Sequence, residues 1–263
     1  MKIWQIALLT MLLSGSALAV MQTETVNYKD GDVELKGYIF WDNAFSGRRP
    51  GVLVVHEWWG ANDYVQRRAD RLAELGYAGF AIDLYGAGRI AANPDEAGML
   101  MNGLTADLPA MRGRFRAALD RVRIDPVADG SRVAAVGYCM GGGIALHMAC
   151  HGSDLAAVGS FHGALPLATA GLDGPARPKA RLAVYHGEAD EFVTADDVSA
   201  FLREVETAAA DCLFVALPGA THGFTNPEAT LRGEKFGLPL RYSELADRAS
   251  WDHMRLVLNE ALA

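Results

Sequence analysis

Cys139, Asp190 and His222 stand in one order along the chain, and each follows a short apolar run. The run Arg132–Val136 ends in Gly137-Tyr138-Cys139-Met140-Gly141, and Gly142-Gly143-Ile144-Ala145-Leu146-His147 continues at once with helical character. Strand, sharp turn and helix with a nucleophile at the apex is the pattern of a nucleophile elbow, here with Cys in the position usually held by Ser. Such a turn strains the backbone at the nucleophile. Small residues two before and two after it let strand and helix pass closely. Cys139 would then sit at a helix N-terminus, where the dipole and free N–H groups favour a thiolate. The Met140 N–H would point where an oxyanion forms. Taken alone, the pentapeptide equally suits a buried structural cysteine.

The other two residues supply the missing parts. Arg181–Tyr185 runs into His186-Gly187-Glu188-Ala189-Asp190, and Cys212–Leu217 runs into Pro218-Gly219-Ala220-Thr221-His222-Gly223. Nucleophile, acid, then His is the chain order of α/β-hydrolase triads. Asp190 would orient His222, and His222 would stabilise the thiolate or take its proton, then protonate the leaving group. Glu188 and Glu191 compete with Asp190 for the acid role. A further stretch, His56-Glu57-Trp58-Trp59-Gly60, follows the apolar run Gly51–Val55. The Trp58 N–H is the candidate second oxyanion donor. Glu57 is expected to face the Cys139 thiol and keep it protonated at rest by like-charge repulsion. At least one of Trp58 and Trp59 is expected to line the pocket.

These residues need a scaffold that brings distant strand ends together. Glu24–Tyr28 and Val33–Trp41 alternate apolar and polar residues about Asp30-Gly31, a hairpin signal. Strands are expected at Gly51–His56, Ala78–Leu84, Arg132–Gly137, Leu155–Phe161, Arg181–His186 and Cys212–Leu217. Helices are expected at Asn62–Leu75, Asn93–Gly103, Ala106–Val122, from Met140 to Cys150, at Ala195–Ala209 and across Tyr242–Leu262. Asp63, Arg67, Arg68 and Arg71 are read as the wet side of the first helix. His147 and His151 are read as a helix surface pair, since they lack the glutamate of a zinc-binding HExxH. Leu165–Lys179 reads as a loop. Alternating strands and helices predict an α/β fold, a mostly parallel sheet with helices on both faces and a site at the C-terminal strand ends.

Length and composition agree with one domain spanning 20–263, because no repeat or linker divides the chain. Residues 1–19 read as a signal peptide, with Lys2, an apolar run Ile6–Leu13 and Ala17-Leu18-Ala19 as cleavage site. That predicts a periplasmic protein with no stable membrane anchor after processing, since Ser14, Gly15 and Ser16 cut the apolar run short of a membrane span. A net charge of −8 argues against nucleic acid or an anionic membrane as partner. Three cysteines do not make a disulfide scaffold. Cys139 and Cys150 would lie about 16 Å apart along one helix, too far to bond. Cys150 and Cys212 read as core thiols.

At these motifs the chain resembles the dienelactone hydrolase family, cysteine members of the α/β-hydrolase fold. The resemblance rests on His56-Glu57-Trp58-Trp59-Gly60, Asp83-Leu84-Tyr85, Gly137-Tyr138-Cys139-Met140-Gly141-Gly142, His186-Gly187-Glu188-Ala189-Asp190 and His222-Gly223-Phe224. It implies a Cys139–His222–Asp190 triad, a Glu57 that contacts the resting thiol, oxyanion donors at Trp58 and Met140, and hydrolysis of a small ester or lactone without cofactor or metal. Tyr85, Arg89, Trp59 and Phe224 are the expected substrate contacts. Family members that open dienelactone hold its carboxylate with two arginines. Here Arg89 is displaced from the first position and Asn226 stands near the second, so the substrate clamp is expected to be altered. Two other functions fit the same fold: an exported thiol redox sensor and a non-catalytic binding protein. The first lacks a CxxC or a nearby resolving cysteine. The intact triad argues against the second.

Overall fold

The computed structural model describes residues 20–263, so the segment read as a signal peptide lies outside the described residues. Strands β1 (Met21–Asp30) and β2 (Val33–Asp42) form the expected antiparallel hairpin, with Gly31 in the left-handed region at the turn. β2 also pairs antiparallel with β4 (Ala78–Ala81). From there the sheet is parallel: β3 (Arg49–Val55), β5 (Ala128–Tyr138), β6 (Ala157–Phe161), β7 (Arg181–Gly187) and β8 (Cys212–Leu217). The order across the eight strands is β1-β2-β4-β3-β5-β6-β7-β8. Parallel strands all end on one side, so the segments after β3, β5, β7 and β8 meet there.

Helices cover both faces. Against one face lie α1 (Asp63–Ala73) and the last helix, α8 (Glu244–Ala261); against the other lie α3 (Leu108–Arg123), α4 (Met140–Cys150) and α6 (Ala195–Thr207). Alternate residues of β3 feed the two cores: Leu53 and Val55 one, Val52 and Val54 the other. That two-sided burial is why its run is wholly apolar. The remaining helices are α2 (Pro94–Thr105), α5 (Leu165–Ala168) and α7 (Ala229–Phe236). Among the described residues no helix is long and apolar enough to cross a membrane.

Four expectations are corrected. Leu165–Lys179 is not loop throughout, because Leu165–Ala168 closes into α5 with Pro166 in its first turn. The segment before α8 contains α7, which nothing in the sequence reading anticipated. Arg68 is buried rather than wet: it lies four residues after Tyr64 and four before Leu72, on the stripe that faces the core. There it pairs with Asp247 at 2.6 Å and lies against the rings of Tyr64, Tyr138 and Trp251. His147 is also buried, since α4 is enclosed along its whole length. Its Nδ1 meets the Leu167 carbonyl at 2.9 Å and burial lowers its pKa to about 4.

Candidate active site

The turn between β5 and α4 holds Cys139 at φ 56° and ψ −123°, a left-handed conformation unfavourable for a residue with a Cβ. The strain is tolerated because the surroundings over-determine it. A Cβ on Gly141 would lie 2.4 Å from the Val55 carbonyl oxygen, and one on Gly137 would lie 2.1 Å from that of Gly141. The Cys139 N–H donates to Phe161 O at 3.0 Å and to His162 Nδ1 at 3.1 Å. Neither contact was visible in sequence; His162 follows β6 with no motif around it. Burial holds His162 well below its ordinary pKa, so the ring is neutral. With Nδ1 accepting from an amide, its Nε2–H donates to Thr225 Oγ1 at 2.7 Å, and that hydroxyl also meets Tyr64 OH at 2.6 Å.

His222 and Asp190 meet as their positions past β8 and β7 require. His222 Nδ1 lies 2.8 Å from Asp190 Oδ2, and Asp190 Oδ1 accepts the Phe192 N–H at 2.9 Å. Asp190 is buried whereas its rivals Glu188 and Glu191 are exposed. The carboxylate keeps a proton on Nδ1, which turns the other ring nitrogen to the cysteine side. Burial acts to lower the His222 pKa, but the neighbouring Cys139 and the bond to Asp190 outweigh it and push the pKa up to about 10.

Trp58 and Met140 line the same cavity as Cys139 and His222. Among the described residues neither the Trp58 N–H nor the Met140 N–H has a hydrogen-bond acceptor. Two free amide donors beside a nucleophile in one cavity form the kind of arrangement that can bind an oxyanion.

Glu57 differs from expectation in its partner. It is buried, but its Oε2 accepts from Asn226 Nδ2 at 2.8 Å, and no hydrogen bond joins it to Cys139 among the described residues. Burial raises its pKa, opposed by the Asn226 bond and by the charges of His222, Arg232 and Arg68. Asn226 therefore occupies the position after the catalytic-type His as a carboxylate anchor.

The cavity has a volume of about 520 Å³, and its walls come from segments not expected there: Met101 and Thr105 of α2, Leu167 of α5, and Phe192, Val193 and Leu240 from loops. None of Tyr85, Arg89, Trp59 and Phe224 lines it. Tyr85 is buried beneath, its hydroxyl donating to Trp58 O at 2.8 Å. Arg89 is spent on the backbone carbonyls of Tyr85 and Gly86. Trp59 is core, packed on Phe236 and under the Arg232 guanidinium at 4.5 Å. Phe224 packs edge-on against His162. Each stands beside a motif, but the Tyr85, Trp59 and Phe224 side chains are buried in the core and the exposed Arg89 folds back on the backbone.

The strand order and the site at the parallel strand ends define an α/β-hydrolase. The chain matches the dienelactone hydrolase family over residues 35–262, and it belongs to that family. Among curated proteins it is 31% identical to Protein usf of Aquifex pyrophilus, over 77% of this chain and 87% of that one. Among solved structures, a dienelactone hydrolase-like promiscuous phosphotriesterase from metagenomic libraries is 34% identical with a TM-score of 0.85, covering 92% of this chain and 99% of the other. The structure m3DLH is 35% identical with a TM-score of 0.84 and the same coverage. Family and structural neighbours make the chain a dienelactone hydrolase-like carboxylic ester hydrolase acting on a small molecule.

Proposed function

We propose that this hydrolase cleaves small uncharged esters or lactones through a thioacyl-enzyme on Cys139. The observation that carries the reading is the convergence of Cys139, the Asp190-bound His222 and two unpartnered amide N–H groups on one cavity. Cys139 Sγ, as thiolate, attacks the carbonyl carbon, and the carbonyl oxygen becomes an oxyanion between the Trp58 and Met140 N–H groups. The intermediate collapses to a thioester as the alkoxide leaves with a proton from His222. Water then attacks the thioester, giving its proton to His222, and the acid departs as Sγ is released. Asp190 holds the imidazole in the required tautomer.

The altered clamp supports an uncharged substrate. Among the described residues no Lys or Arg lines the cavity, Arg89 is bound to backbone oxygens, and Asn226 is bound to Glu57. A substrate carboxylate would lose its hydration without a charged partner, which costs several kcal/mol or more. The signal peptide read at residues 1–19 would place the activity in the periplasm.

The test is a panel of p-nitrophenyl acetate, neutral lactones, dienelactone and its methyl ester, with an uncharged phosphotriester because one similar solved structure is that of a promiscuous phosphotriesterase. Neutral substrates should turn over, the free carboxylate should lag its methyl ester at least tenfold, and Cys139→Ala should be inactive. Equal rates for wild type and Cys139→Ala would overturn the nucleophile. A preference for the free acid would overturn the uncharged cavity.

A further inference from the structure

His56 is fully buried at the end of β3, outside the triad and outside the cavity lining. Its two nitrogens have fixed roles. The Leu84 N–H can only donate, and it points at His56 Nε2 at 3.2 Å, so Nε2 is bare. The proton of the neutral ring is therefore on Nδ1, 2.6 Å from the Glu57 carbonyl oxygen, and Nδ1–H donates there. Burial disfavours the imidazolium, which agrees with a neutral ring. The ring is held in place by Tyr85, with centroids 4.7 Å apart.

The Glu57 carbonyl belongs to the same peptide unit as the Trp58 N–H. A trans peptide is planar, and its C=O and N–H point in opposite directions. Pinning the oxygen from behind therefore aims the N–H from the front. The Gly60 N–H also donates to Glu57 O at 3.3 Å, and Tyr85 OH holds the next carbonyl, Trp58 O, at 2.8 Å. Both peptides flanking Trp58 are thus fixed by side chains rising from below the site. A carbonyl that accepts a strong hydrogen bond also polarises its amide and makes the N–H a better donor.

We infer that His56 is a positioning residue for the oxyanion hole: its Nδ1–H locks the Glu57–Trp58 peptide so that the Trp58 N–H meets the developing oxyanion. This rests on the proposed Cys139 mechanism and adds a residue to it. The expected loss lies below the 10²–10³ of deleting an oxyanion donor, because the N–H stays but is no longer aimed.

The test compares His56→Leu with His56→Asn, which are nearly the same shape but differ in the amide that can donate to Glu57 O. Two readouts separate positioning from general damage: hydrolysis of p-nitrophenyl acetate, which forms an oxyanion, and alkylation of Cys139 by iodoacetamide, which does not. His56→Leu should lower kcat about 10- to 100-fold with KM within about twofold and with the alkylation rate and its pH profile unchanged, and His56→Asn should restore most of the kcat. Turnover by His56→Leu within about twofold of wild type would overturn the inference. So would parallel losses in hydrolysis and alkylation, which would make the ring merely structural. If His56→Leu does not fold, His56→Met, which likewise cannot donate to Glu57 O, takes its place and must show the same split between the two readouts; its absence overturns the inference. Turnover by Cys139→Ala would instead overturn the mechanism beneath it.

Discussion

Asn226→Asp puts the Glu57 anchor to a quantitative test. The Asn226 amide now gives Nδ2–H to Glu57 Oε2 and takes the Glu228 N–H on Oδ1 at 3.0 Å. The substitution keeps the second contact and sets two carboxyls at hydrogen-bond distance in a buried site. Both cannot ionise there, so the folded state must hold a proton that the unfolded chain releases. Holding it on a carboxyl with an unfolded pKa of about 4.3 costs about 1.4 kcal/mol per pH unit, or roughly 4 kcal/mol at pH 7. The nearby charges of His222, Arg232 and Arg68 make that an upper figure. The sign follows: a folded-state pKa raised above the unfolded one leaves stability intact below about pH 4.3 and removes it as pH rises. Urea unfolding at pH 4.5, 5.5 and 7 is the assay. The variant should match wild type within a few tenths of a kcal/mol at pH 4.5 and fall behind with a slope near 1.4 kcal/mol per unit, for a Tm loss of about 10 °C at pH 7. A deficit that does not change with pH, or none at pH 7, would refute the buried carboxylate pair.

Two further perturbations follow from the same surroundings. Arg68→Met should cost about 3–5 kcal/mol in urea unfolding by leaving Asp247 charged and buried, while Arg68→Met with Asp247→Leu should recover most of it; equal losses in single and double variants would show that the ion pair is not the source. His222 loses its contribution in the same direction, at higher pH. Its pKa is raised from 6.5 to about 10, so its stabilisation is full below about pH 6.5 and disappears as pH rises through about 10. Stability measured from pH 6 to 10.5 should fall across that range, and fall less in Cys139→Ala, which removes the neighbour that raises it most. Identical profiles would disprove the coupling.

Where sequence and structure part company is instructive at the level of single residues. The convergence of Cys139, Asp190 and His222 was legible because each lies directly after a strand, and a parallel sheet carries every such position to the same side. That Trp58 and Met140 line the same cavity was legible for the same reason, since their backbone positions follow from where the chain turns. Asp190 was separated from Glu188 and Glu191 by its burial and its bond to His222, both of which depend on how the turns after β7 and β8 meet. Arg68 and His147 were misread because a polar residue on a helix looks wet until its partner, Asp247 or the Leu167 carbonyl, arrives from elsewhere in the chain.

Strand-end chemistry and its order are properties of the sequence, because period, glycine spacing and strand–helix alternation are local and the sheet's parallelism does the rest. The cavity walls from Met101, Leu167, Phe192 and Leu240, the capture of Glu57 by Asn226, and the tautomers of His56 and His162 belong to the tertiary structure alone. Each joins segments from distant parts of the chain, and whether two such side chains meet is decided by packing, which no local pattern encodes.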